Sequence, residues 1–105
     1  MTKIRNLNSI QVFNEVSRLK SITLSAKSLH ISQSSVSYHI KKLEDELNAA
    51  LFQRNREGLT LTSNGETLAT HVANGLRSIQ IGLEKASDQT EIVRIAILPL
   101  FASRW

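Results

Sequence analysis

Cysteine is absent from this 105-residue chain, which rules out disulfides and thiolate metal ligation. Long apolar runs are absent as well. The opening MTKIRNLNSI lacks the continuous apolar core of a secretory signal, and no stretch approaches the ~20 apolar residues that span a bilayer. A cytoplasmic protein without a membrane partner is expected. Glycine occurs only four times, and no glycine-rich phosphate loop is formed. His30, His39 and His71 have no metal-ligand spacing and no cysteine to join them. Ser37, His39 and Asp45 are the residue types of a hydrolytic triad, but a single helix cannot converge them on one atom. We therefore expect no catalytic residue, no metal and no cofactor.

What is present suffices for one compact domain with an extension. Hydrophobic residues make up 41% and charged residues 21%, values ordinary for a globular protein. The formal charge is +4, and its location is informative. Up to Thr60, nine lysines and arginines face five acidic residues, whereas beyond Thr60 four face four. The whole excess thus lies on the N-terminal part, as an electrostatic footprint for nucleic-acid phosphate would. Charge alone is equally compatible with a solvated basic face.

The most informative segment is TLSAKSLHISQSSVSYHIKKLEDELNAALF, from Thr23 to Phe52. Before it, Leu7, Ile10, Phe13 and Val16 recur every third residue and mark a first helix, with Asn6 or Asn8 as its cap and Gln11 at capping-box distance from Asn8. Thr23 or Ser25 can cap a short second helix containing Ala26 and Leu29. Helix-turn-helix units often place glycine in the turn; the corresponding residue is His30. Ser32 caps a third helix. Projected at about 100° per residue, its Val36, Ile40, Leu43 and Leu47 fall within an arc of roughly 60° and form a core face. Opposite lie Ser34, Tyr38, Lys41 and Asp45, flanked by Ser35, Ser37 and Lys42. The acidic run Glu44-Asp45-Glu46 opposes the helix dipole. Since it would repel phosphate, we expect it to orient the helix with its N-terminal half towards DNA.

Leu51 to Arg54 and Leu59 to Thr62 alternate around Asn55-Arg56-Glu57-Gly58, as in a small β-hairpin with Arg54 and Arg56 at its tip. An irregular loop with two solvated arginines is the rival reading. Ser63 and Glu66 have capping-box spacing at the start of a long helix. Within it Ala69, Val72, Leu76, Ile79, Leu83 and Ala86 step by three and four, a heptad seam sustained for nearly three repeats. Gly75 and Gly82 weaken such a helix by about 1 kcal/mol each, so packing must compensate. Dimerisation through this seam is expected. From Ile92 to Leu98 the pattern is that of a buried strand.

From about Leu7 to Thr67 the chain resembles the N-terminal DNA-binding domain of LysR-type transcriptional regulators. The resemblance is carried by Leu7, Phe13, Val16, Ser21 to Ala26, Leu29 to Gln33, Val36-Ser37, Ile40, Leu43-Glu44, Leu47, Leu51 to Arg54, Leu59 to Thr62 and Gly65-Glu66. It implies a mainly α fold: a winged helix-turn-helix over residues 1–62 and a dimerising linker helix over 63–90. Residues 91–105 resemble the start of an effector-binding domain, most of which this chain lacks, so no small-molecule effector is expected for it. The expected partners are double-stranded DNA, read as an interrupted palindrome, and a second copy of the chain in a homodimer or higher homo-oligomer. Expected DNA-binding residues are Ser32, Gln33, Ser34, Ser35, Ser37, Tyr38, Lys41, Lys42, Arg54 and Arg56. Two departures stand out: Ser34 where the family often has proline, and Tyr38-His39 where arginine often follows the serine. The second removes a usual guanine-reading side chain, so base preference cannot be carried over. A rival class is an interaction protein that forms mixed dimers with full-length regulators and blocks them.

Overall fold

The computed structural model describes residues 7–87, and the expected strand from Ile92 to Leu98 lies outside them. The element order is α1 (Leu7–Leu19), α2 (Ile22–Leu29), α3 (Gln33–Leu47), β1 (Phe52–Asn55), β2 (Gly58–Leu61) and α4 (Ser63–Ala86). This is the expected mainly α fold, a helix-turn-helix with a two-stranded wing followed by a long helix. The described residues divide into two compact units, the first ending at Val72 and the second beginning at Ala73.

The first unit is organised around α3, which packs against both α1 and α2. Its Val36, Ile40 and Leu43 are buried as the periodicity predicts, with Leu47 half-buried at the end. The buried face of α1 differs from the expected stripe. Leu7 is half exposed, and the buried residues are Ser9, Val12, Phe13 and Val16, with Asn14 and Glu15 beside them. The reason is helical phase. Nine residues at 100° each turn the helix by a net half-turn, so Leu7 and Val16 stand on opposite sides, whereas steps of three and four hold one face. Phe13, fully buried, meets the Phe52 ring at 5.5 Å and so joins α1 to the wing. Glu15 accepts two bonds from Arg18, at 3.1 and 3.2 Å, and a third from the Ser28 hydroxyl, which ties α1 to α2.

Helix ends explain much of the chain's punctuation. Asn8 lies inside α1 rather than capping it, and Asn6 falls outside the described residues. Neither Thr23 nor Ser25 caps α2. Ser21 does, its hydroxyl accepting from the Leu24 amide at 3.0 Å. Ser32 caps α3 as expected, accepting from the Ser35 amide at 3.0 Å. His30 occupies the turn with φ 58° and ψ 42°, the left-handed conformation that favours glycine. The Ile31 amide closes that turn onto the Ala26 carbonyl at 3.1 Å.

β1 and β2 pair antiparallel, Phe52 with Leu61 through Asn55 with Gly58, leaving Arg56 and Glu57 as a two-residue loop. Gly58 has φ 110°, as its place after the turn requires. Arg54 is therefore within β1, and Arg56 alone of the two arginines sits at the tip. The cap of α4 is Thr62, one residue before the expected Ser63. Its hydroxyl accepts from the Gly65 amide at 3.0 Å and donates to the Ala50 carbonyl at 2.6 Å. A Cβ on Gly65 would stand 2.0 Å from the Leu51 carbonyl oxygen. Backbone is the obstacle there, so Gly65→Ala should lower stability by about 1–3 kcal/mol. Gly75, with nothing within 4 Å of an added Cβ, should tolerate alanine without loss; urea midpoints of the two variants make the comparison.

Candidate nucleic-acid interface

Between the N-terminal half of α3, the start of α2 and the wing runs an open groove of about 430 Å³, lined by Lys20, Ser21, Ile22, Thr23, Gln33, Ser34, Ser37, Arg54 and Leu59. A second concavity of about 240 Å³ shares Ile22, Ser37, Arg54 and Leu59 and adds Lys41, Gln53, Ile40, Glu44 and Phe52. Polar and cationic side chains dominate the first, and it is shaped by three elements that sequence separates by some thirty residues.

The groove gathers four of the ten expected DNA-binding residues: Gln33, Ser34, Ser37 and Arg54. Lys41 joins Ser37 and Arg54 in the second concavity. Ser32 and Ser35 stand apart from both. The Ser32 hydroxyl caps α3, donates to Ser35 Oγ at 3.0 Å, and lies 3.0 Å from Ser34 Oγ, so these serines form a capping cluster. Ser35 is half-buried. Tyr38 is exposed on the outer face, with the Lys42 ammonium 5.9 Å from its ring centroid. Arg56 is exposed in the wing loop, where the Glu57 amide donates to Asn55 Oδ1 at 3.0 Å and steadies the turn.

Lys20, Ser21 and Thr23 also line the groove, although none of them is among the expected DNA-binding residues. In the sequence Thr23 is a candidate cap and, with Ser21, part of the family resemblance, and Lys20 is one positive charge among nine. Lys20 follows α1 with φ 51°, and that left-handed residue turns the chain to bring α2's first turn to the groove. The charge inventory is also refined by the fold. Arg18 is engaged by buried Glu15, while Lys20, Lys41 and Arg54 line the concavities. Lys41 is 3.8 Å from Asp45, both well exposed, a geometry that contributes little in water.

The acidic run at the end of α3 divides by role. Glu44 accepts from the Leu51 amide at 2.8 Å and the Phe52 amide at 3.4 Å, so it fixes the base of the wing against α3. This is a structural function beyond the orienting role expected of the run. Asp45 and Glu46 are exposed. The helix ends at Asn48, φ 51°, with the Ala49 amide returning to the Glu44 carbonyl at 3.1 Å.

On α4, Val72 is buried, Ala69 and Leu76 are half-buried, and Ala86 is exposed. Ile79 and Leu83 are each 53% exposed, an apolar stripe open to solvent in the single chain. Among the described residues, no group of three or more histidine, aspartate or glutamate side chains could hold a metal. The three histidines fall in the α2–α3 turn, on α3 and on α4. No helix among the described residues is long and apolar enough to cross a membrane.

Helix, turn, helix and wing around a basic groove define the winged helix-turn-helix class. Residues 7–66 match the model of the bacterial regulatory helix-turn-helix proteins of the lysR family, and the chain belongs to that family. It is similar to the HTH-type transcriptional regulator PerR of Escherichia coli (strain K12), 36% identical over 100 residues, covering 94% of this chain and 34% of that protein. It is also similar to the glycine cleavage system transcriptional activator of the same strain, 32% identical over 101 residues, covering 94% of this chain and 33% of the relative. The chain thus spans about a third of the length of these curated relatives. Among solved structures, the BenM DNA-binding domain in complex with catB site 1 DNA superposes with a TM-score of 0.74. That match covers 78% of this chain and 92% of that one at 24% identity, and shows a shared fold.

The geometry separates Glu44 from its acidic neighbour. Removing the carboxylate leaves the amide at the buried Leu51 without its acceptor, so Glu44→Ala should cost about 1–3 kcal/mol. Asp45→Ala should change stability by no more than about 0.5 kcal/mol. Chemical denaturation of the pair checks this, and equal losses would contradict the assignment.

Proposed function

We propose that this chain is the DNA-reading part of a cytoplasmic, non-catalytic LysR-type transcriptional regulator, and that it docks α3 in the major groove of duplex DNA. The observation that carries the reading is the groove joining Gln33, Ser34 and Ser37 on α3 to Lys20 and Arg54 on either side. The groove and the concavity beside it offer two kinds of contact. Lys20, Lys41 and Arg54 neutralise phosphate and set the register, a sequence-independent contribution. Gln33 presents an amide suited to paired hydrogen bonds with adenine N6 and N7, and the serine hydroxyls donate to bases or phosphate. Arg56 at the wing tip reaches beyond the α3 footprint to the neighbouring backbone or minor groove. Ser32 and Ser35 serve this interface indirectly by fixing where α3 begins.

The same reading includes a homodimer. Ile79 and Leu83 continue the α4 seam from Val72 and Leu76 yet stand open in one chain, and a second copy would cover them. Two readers related by two-fold symmetry require half-sites about 10 bp apart or a multiple of it, hence an interrupted palindrome. Sedimentation at micromolar concentration should give twice the chain mass. Ile79→Asp with Leu83→Asp should return the monomer and lower affinity for a palindromic duplex far more than for an isolated half-site.

Within the reader, the two contact classes predict different outcomes. Arg54→Ala should weaken binding to every duplex and reduce the slope of log affinity against log salt by about 0.9. Gln33→Ala should change the selected sequence, with discrimination at one position falling by about 1–3 kcal/mol. Selection from a random duplex pool at several salt concentrations tests both. An unchanged site with uniformly lower affinity for Gln33→Ala would make that residue a backbone contact.

A further inference from the structure

A line of contacts crosses α3 just beyond the groove. Tyr38 is 60% exposed on the face opposite the core stripe. The His39 ring meets it edge-on, with centroids 5.5 Å apart and planes at 70°. Lys42 sets its ammonium 5.9 Å from the Tyr38 centroid. His39 is in turn joined to α1, its Nδ1 hydrogen-bonded to Ser9 Oγ at 2.9 Å, and Ser9 is 1% exposed. A tyrosine at such exposure has no packing reason to be held, and in water it would exchange between rotamers. Here it is flanked by a lysine one turn along the helix and by a histidine anchored in the domain interior.

We propose that Tyr38 is a specificity-determining residue that reads a methyl-bearing base edge in the major groove, thymine in ordinary DNA, and that His39, anchored by Ser9, is the positioning residue that holds the ring for this contact. The inference rests on the reading of α3 as the major-groove helix. Helical spacing puts Tyr38 between Ser34, four residues back in the groove, and Lys41, three residues on. It is the largest side chain on that outer face, flanked by serines too short to cover an apolar base surface. Histidine meets the ring edge-on and lysine lies 5.9 Å from its centroid, yet Tyr38 remains 60% exposed, and its phenol hydroxyl has no hydrogen bond among the described residues. Thymine presents a C5-methyl beside the O4 acceptor, which match an apolar edge and a hydroxyl donor. Cytosine offers an amino donor, and guanine two acceptors without a methyl; neither presents that pair. A ring held in advance loses less conformational freedom on binding than a mobile one.

The test uses the whole chain and the duplex it selects from a random pool. Each thymine of the selected site is replaced in turn by deoxyuridine, which removes only the methyl group. The wild-type chain should show one thymine per half-site whose methyl is worth about four-fold in affinity, the value of one buried methyl. Tyr38→Ala should bind the thymine and deoxyuridine duplexes equally, while Tyr38→Phe keeps the ring and should keep the methyl effect. His39→Asn retains a polar group towards Ser9 but has no ring. It should lose the methyl effect while helicity by circular dichroism and affinity for non-cognate duplex stay as in the wild type. Ser9→Ala, which leaves both rings but releases His39, should reduce the effect without abolishing it. A wild-type chain with no deoxyuridine-sensitive position, or a Tyr38→Ala chain that keeps the effect, would overturn the base assignment. A full methyl effect in both His39→Asn and Ser9→Ala would overturn the positioning role. Failure of the wild-type chain to select any sequence would instead remove the DNA-reading proposal on which this one stands.

Discussion

The backbone of Leu51 donates to the Glu44 carboxylate at the end of α3 and accepts from the Thr62 amide at the start of α4. Both ends of the wing are therefore pinned at one residue, which is itself 1% exposed. Gly65 rests against the same carbonyl so closely that no side chain fits between. The direction of the wing relative to α3, the starting point of α4 and the opening of the groove all follow from that junction. Arg54 stands in the groove because β1 begins immediately after Leu51, and strand alternation then fixes which side each successive residue faces.

Within α3, position along the helix decides what a side chain does. The first turn is polar and short, and its serines divide between closing the helix end and lining the groove. The middle turn carries Tyr38 outward and Ile40 inward. The last turn turns back on the protein through Glu44, while Asp45 and Glu46 face solvent. A helix that must both present chemistry and hold a wing separates the two tasks by one turn, and the polarity of its charges follows that separation.

Local signals were legible where one residue type had one use. Ser32 before an apolar period, the inward Val36, Ile40 and Leu43, and the glycine-closed hairpin at Gly58 could all be read from neighbours a few residues away. Where several residues met the same local requirement, only tertiary contacts chose among them. Thr62 outcompetes Ser63 as a cap because its hydroxyl also donates to Ala50, a contact no pattern announces. Ser21 precedes Thr23 and Ser25 for α2, and buried Ser9 and Glu15 on α1 owe their places to partners on other helices. The groove was half legible: residues of α3 and the wing carried obvious chemistry, whereas Lys20 and Thr23 gained a role only when a left-handed turn brought α2 alongside. Most of the site is thus a property of neighbours distant in sequence.

Lys20, His30 and Asn48 each follow a helix with φ between 51° and 58°, a region where a Cβ crowds the next carbonyl. The crowding costs roughly 1 kcal/mol at residues other than glycine, less for asparagine. Glycine at His30 and Asn48, neither of which lines the groove, would release this strain without altering the groove's surface. The domain therefore holds a latent margin of stability in its turns. Such a margin lets a fold accept substitutions in its groove that are individually destabilising, so the turns bear on how freely the groove's chemistry can change.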